Sequence, residues 1–107
     1  MATISGLELA ALLTVARLGA DAYGAAVRRE LSEIEGRDYS VGAVYTTLQR
    51  LENKGLLMSR ASEPRSERGG RSRRYFALTR DGAAACRAAR ARHERMWTGV
   101  TLRGRTA

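Results

Sequence analysis

The stretch Ser40–Gly55 constrains this chain more than any other. Ser40 is a helix N-cap residue and Gly55 a C-terminal stop, so the two bracket a helix over about 41–54. Val44, Leu48 and Leu51 fall at i, i+4 and i+7, which gives that helix an apolar stripe to bury. At about 100° per residue, the opposite face carries Gly42, Thr46, Gln49 and Asn53. It holds no acid and no large apolar group, whereas ordinary solvated faces are rich in Glu and Lys. Small residues near the helix start permit close approach, and hydrogen-bonding side chains follow. A DNA major groove, with donors, acceptors and thymine methyls on its base edges, suits such a face.

The flanking patterns define the remaining elements. Ser5 and Glu8 form a capping box, with Ile4 and Leu9 placed as a hydrophobic staple around it. Leu9, Leu12, Leu13 and Ala16 recur at helical spacing and predict a first helix over about 6–18, ended by Gly19. Asp21 is placed to cap a second helix over about 22–34, with Ala26, Val27, Leu31 and Ile34 as its buried stripe. Arg28, Arg29, Glu30 and Glu33 lie outside that stripe, and Glu33–Asp38 reads as a turn region. After the third helix, 56–61 and 73–78 read as strands, the second marked by Tyr75 and Phe76. Between them Glu63–Ser72 contains Pro64, Gly69, Gly70 and no apolar residue, which makes the pair a hairpin with a long tip. Thr79 caps a last helix over about 80–99, and 101–107 reads as a tail.

Charge is distributed unevenly over these elements. Residues 1–62 hold seven basic and seven acidic side chains, while 63–107 hold twelve basic and four acidic ones and so carry the whole net charge of +8. Such one-sidedness points to a polyanionic partner, nucleic acid first. An enzyme is not expected: there is one His, one Cys, no metal-ligand spacing and no phosphate-binding glycine motif. No cofactor or metal is implied. The lone Cys86 excludes an intrachain disulfide and reads as an inert thiol in a helix. No apolar run approaches the roughly 18–20 residues that span a bilayer, and the first residues lack a secretion signal, so a soluble cytoplasmic protein is expected.

Helix, helix, helix, hairpin, long helix is the order of a winged helix-turn-helix with an appended helix. The expected fold class is therefore mainly α (α+β): three helices, a two-stranded β-wing and a long C-terminal helix. Residues 1–79 would form the DNA-binding domain, 80–100 a dimerisation helix and 101–107 a flexible tail. Ala22-Tyr23-Gly24, the run Ser40–Leu56 and the run Arg73–Gly82 together resemble the PadR family of bacterial transcriptional regulators, over about 7–99. The resemblance implies a homodimeric repressor. Its recognition helix enters the major groove, its wing contacts the DNA backbone, and its C-terminal helix packs on the partner's N-terminal helix. It also implies the short form of the family, with one such helix. Some members line a ligand pocket at the dimer centre with an aromatic from that helix. Here Trp97 is the aromatic, and His93 falls nearer the expected place.

The residues then sort by role. Ser40, Tyr45, Thr46 and Gln49 are the candidate DNA contacts of the third helix, with Gly42 and Ala43 allowing close approach and Arg50 serving phosphates or local acids. Lys54 is placed like Arg50. Arg65, Arg68, Arg71, Arg73 and Arg74 form the basic wing within Pro64–Arg74. Tyr23 is either a phosphate ligand through its hydroxyl or a packing residue. The dimer or ligand interface is expected from Leu9, Leu12, Leu13, Cys86, Ala89, His93, Met96, Trp97 and Val100, the last helix being small-faced first and bulky later. A twofold dimer would read a pseudo-palindrome with half-sites roughly 34 Å apart, and a small hydrophobic or aromatic effector would release it. The alternatives are a basic RNA-binding or protein-interaction module. RNA binding would call for exposed stacking aromatics on a sheet, but strand alternation puts Tyr75 and Phe76 on opposite faces.

Overall fold

The computed structural model describes residues 4–62 and 73–105. The elements run α1 (Gly6–Leu18), a 3-10 turn (Gly19–Asp21), α2 (Gly24–Glu35), α3 (Val41–Asn53), β1 (Leu57–Ala61), β2 (Arg74–Leu78) and α4 (Arg80–Trp97). This is the expected winged helix-turn-helix order, mainly α with one antiparallel hairpin.

The capping box forms as the sequence predicts. Ser5 Oγ accepts from the Glu8 N–H at 3.1 Å, and the Glu8 carboxylate accepts from the Ser5 N–H at 2.9 Å. The first helix departs from its expected stripe. Ala11, Leu12 and Val15 are buried, whereas Leu13 is 48% exposed and Ala16 is exposed. This helix is apolar on more than one side, so periodicity alone could not fix which side faces the core. Leu12 is wholly buried within the protomer and is therefore a core residue, not an interface residue.

Asp21 does not cap the second helix. Gly19 ends α1 at φ +58° and the chain turns through Asp21. Ala22 and Tyr23 then run extended beside β2, with Phe76 N–H donating to the Ala22 carbonyl at 2.8 Å and a bridge pairing Tyr23 with Tyr75. The helix starts only at Gly24 because the sheet edge takes the two residues before it. Ala26, Val27 and Leu31 are buried as expected, but Ile34, in the last turn of α2, is 48% exposed.

β1 and β2 pair in the register Leu57–Leu78, Ser59–Phe76 and Ala61–Arg74 on one face, with Met58–Ala77 and Arg60–Tyr75 on the other. Leu57 and Phe76 enter the core beside Val44, Leu48 and Leu51 of α3. Two loop-helix junctions meet beneath this sheet. Gly55, at φ +76°, closes α3 with its N–H on the Glu52 carbonyl, and Leu56 N–H returns to the Leu51 carbonyl. Thr79 then caps α4, accepting from Gly82 N–H at 3.0 Å, while its own hydroxyl donates to the Gly55 carbonyl at 2.6 Å and its N–H to the Leu56 carbonyl at 3.1 Å.

Only the first turns of α4 are covered: Gly82 and Ala85 are buried, and every residue from Arg90 to Arg105 is exposed. A compact chain of this length has a radius of gyration of about 13 Å. Here it is 16.6 Å, and the longest dimension is 60 Å, because α4 projects beyond the core. That helix ends at Trp97, so Val100 lies past it rather than on its stripe.

Candidate nucleic-acid interface

Ser40 sets the start of α3, its side chain accepting from Ala43 N–H at 3.1 Å. The core stripe fixes the rotation of the helix: Val44, Leu48 and Leu51 are buried, joined by Thr47, whose hydroxyl donates to the Ala43 carbonyl at 3.0 Å. Gly42, Ala43, Tyr45, Thr46, Gln49, Arg50 and Asn53 are consequently all exposed. Tyr45, Thr46, Gln49, Arg50 and Asn53 line one shallow depression. Gln49 Nε2 donates to Asn53 Oδ1 at 3.2 Å, which leaves an amide carbonyl and an amide NH2 available, one acceptor and one donor of the kind base edges pair with.

The turn before α3 is held by side chains. Arg28 reaches Asp38 at 3.5 Å and the Tyr39 carbonyl at 3.3 Å, and Ser32 Oγ accepts from Tyr39 N–H. Tyr45 is 42% exposed, with its hydroxyl end against Gly24 at the start of α2. A Cβ on Gly24 would run into the Tyr45 ring and hydroxyl, so the small residue is needed for this packing. Gly24 and Tyr45 therefore form a contact between the two helices of the motif.

At the base of the wing the arginines divide. Arg74 donates to Ser59 Oγ at 2.8 Å, and Ser59 donates to the Glu52 carboxylate at 2.7 Å, so Arg74 is tied to α3. Arg73 lies over the Tyr23 ring, 4.1 Å from its centroid. Tyr23 meets Tyr75 edge to face at 5.7 Å, and Arg60 lies 5.1 Å over Tyr75. Tyr23 is thus half-buried and takes part in aromatic packing. Arg65, Arg68 and Arg71 lie outside the described residues.

Lys54 serves a local acid. Its ammonium contacts both oxygens of the buried Glu8 carboxylate, at 3.0 and 2.9 Å, and so ties the end of α3 to the start of α1. Burial pushes the Glu8 carboxyl up. The Ser5 N–H, the Lys54 hydrogen bond and the charges of Lys54 and Arg50 outweigh it and hold the group below the usual carboxylate range.

The candidate interface residues on α4 form a graded series. Cys86 and Ala89 are half-buried, and burial raises the Cys86 thiol above its usual range against the nearby charge of Arg87. His93 is exposed and accepts from the Trp97 indole N–H at 3.0 Å. Met96, Trp97 and Val100 are each about half exposed, and Leu9 of α1 is half-buried.

The family model of PadR-like transcriptional regulators matches residues 12–88. The chain belongs to this family. As a PadR-like transcriptional regulator it is a DNA-binding protein rather than an enzyme. Comparison with curated proteins gives no match. Among solved structures, RosR of H. salinarum is 26% identical with a TM-score of 0.70, covering 92% of this chain and 81% of that one. A PadR-like transcription factor from Bacteroides fragilis is also 26% identical at a TM-score of 0.70, covering 84% and 82%. A PadR family regulator from Eggerthella lenta DSM 2243 is 27% identical at 0.64, covering 83% and 75%. No helix among the described residues of this PadR-like regulator is long and apolar enough to cross a membrane.

Sequence reasoning missed two residues of this surface, Arg60 and Tyr75. Their pairing depends on the hairpin register, and their stacking on the distant Tyr23. Alternation along β1 was the available signal, since it puts Arg60 opposite the face that carries Leu57.

Proposed function

We propose that the protein is a cytoplasmic repressor that binds a pseudo-palindromic operator as a homodimer. The observation that carries this reading is the acid-free outer face of α3, with Thr46, Gln49 and Asn53 exposed together and rigidly backed by the core. Gln49 and Thr46 read base edges, Gly42 and Ala43 let the helix approach, and Arg73 with the basic wing engages phosphates. Gln49→Ala should weaken binding to a duplex selected from a random pool by about 1–3 kcal/mol while leaving non-specific binding nearly intact. Arg73→Ala should weaken both and flatten the slope of log K against log salt by about 0.9. Equal behaviour of the two variants in a salt titration would refute this division of labour.

Dimerisation is proposed along α4 and the exposed side of α1, through Leu9, Leu13, Ala89, His93, Met96, Trp97 and Val100. The projecting helix and its half-exposed apolar end support this, since a soluble monomer rarely leaves such groups uncovered together. The centre of that dimer, beside the His93–Trp97 pair, is where we place a planar aromatic effector that releases DNA. Trp97→Asp should convert the dimer to monomer in sedimentation. Addition of planar aromatic compounds to the unaltered protein should quench Trp97, its sole tryptophan. A monomeric unaltered protein would sink the dimer, and an unresponsive indole would sink the effector.

A further inference from the structure

Tyr23, Tyr75, Arg60 and Arg73 form a stack whose geometry suits anion capture. The two tyrosine rings meet at 5.7 Å with an interplanar angle of 63°, and one guanidinium lies over each ring, at 4.1 Å for Arg73 and 5.1 Å for Arg60. The backbone locks the stack. Tyr23 bridges Tyr75, Phe76 N–H holds the Ala22 carbonyl, and Arg60 and Tyr75 are direct cross-strand partners. Among the described residues no carboxylate lies within ion-pair distance of either arginine. Arg74 differs, being bonded to Ser59.

A guanidinium held over a ring by cation–π attraction needs no acceptor there, and neither Arg60 nor Arg73 donates from its side chain to an acceptor among the described residues, so both keep N–H donors for another acceptor. The ring also restricts the side chain before binding, so less rotamer freedom is lost on contact. The stack is continuous with the α3 face, because Gly24 follows Tyr23 and carries Tyr45 against it. We infer that Arg60 is a phosphate contact of the DNA-bound protein, and that Tyr75 and Tyr23 are positioning residues that pre-orient Arg60 and Arg73 as a pair along one strand of the backbone. This inference rests on the DNA-binding reading of α3 and adds a second, wing-base track beside it.

The test is a double-mutant cycle on a fluorescein-labelled mixed-sequence duplex of about three helical turns, followed by anisotropy at several salt concentrations, with thermal melts of every variant. Arg60→Ala should weaken binding about fivefold and lower the salt slope by about 0.9, the loss of one phosphate. Tyr75→Phe keeps the ring and should bind like the unaltered protein. Tyr75→Leu should weaken binding about threefold and take with it most of the slope that Arg60 supplies, so that in its background Arg60→Ala should lose most of its effect. An unchanged slope in Arg60→Ala overturns the contact. Equal loss in Tyr75→Phe and Tyr75→Leu, or strict additivity with Arg60→Ala, overturns the positioning. If Tyr75→Leu does not fold, the slope of Arg60→Ala and the behaviour of Tyr75→Phe decide. If Gln49→Ala and Arg73→Ala behave as proposed while Arg60→Ala is silent, only this inference fails. If the unaltered protein shows no salt-dependent duplex binding, the parent reading fails with it.

Discussion

Lys54→Ala is expected to destabilise the fold by roughly 3 kcal/mol at neutral pH, a fall in melting temperature of about 12–24 °C for a domain of this size. Glu8 is only 3% exposed, and the substitution strands its carboxylate. The reverse substitution should be milder. Glu8→Gln keeps an acceptor for the Ser5 N–H, and Lys54, with 29% of its side chain exposed, can rehydrate. A loss of about 1 kcal/mol is expected there. In the unaltered protein the Glu8 carboxyl titrates below its unfolded value. Its stabilisation is therefore present above the unfolded pKa and lost as pH falls through the folded one. Without Lys54 two of the influences that lower the Glu8 carboxyl are gone and the folded pKa rises, so the variant should gain less stability than the unaltered protein as pH rises. The gap between the two proteins should narrow on acidification. Thermal melts from neutrality down through the carboxylate range measure this. A gap that stays constant with pH, or a Glu8→Gln loss exceeding that of Lys54→Ala, would refute the account.

Gly82→Ala should be at least as severe, about 3 kcal/mol. A Cβ there would collide with the Leu56 carbonyl, which is backbone and cannot swing aside. Relief requires α4 to move, and that breaks the Thr79 bonds to Gly55 and Leu56. Gly42→Ala is the control. Nothing lies within 4 Å of a Cβ at Gly42, so helix propensity alone should make that variant neutral or slightly more stable. Similar melting temperatures for Gly82→Ala and Gly42→Ala would remove the close-approach argument.

The elements with strong local chemistry were legible from the residues. Ser5 with Glu8, Ser40 with Gly55, and Thr79 each cap a helix where the sequence places them, because a cap satisfies neighbouring N–H or C=O groups and needs no distant partner. The orientation of α3 was legible for a related reason. Its apolar stripe is narrow, so only one rotation buries Val44, Leu48 and Leu51, and that rotation exposes Thr46 and Gln49.

Where two solutions satisfy the same local rule, only tertiary contacts chose between them. The first helix is apolar on several sides, and packing buried Leu12 while leaving Leu13 out. Asp21 is a competent cap, yet the edge of β2 drew Ala22 and Tyr23 into extended pairing and delayed α2 to Gly24. Lys54 was equally placed for phosphate or acid until Glu8 met it from 46 residues away. The sequence by itself determined the third helix, its caps and the hydrogen-bonding chemistry of its outer face, because these depend on residues within a few turns of one another. The tertiary structure decided which arginines are tied down and which are stacked and available, because that depends on rings and carboxylates brought together from three separate elements.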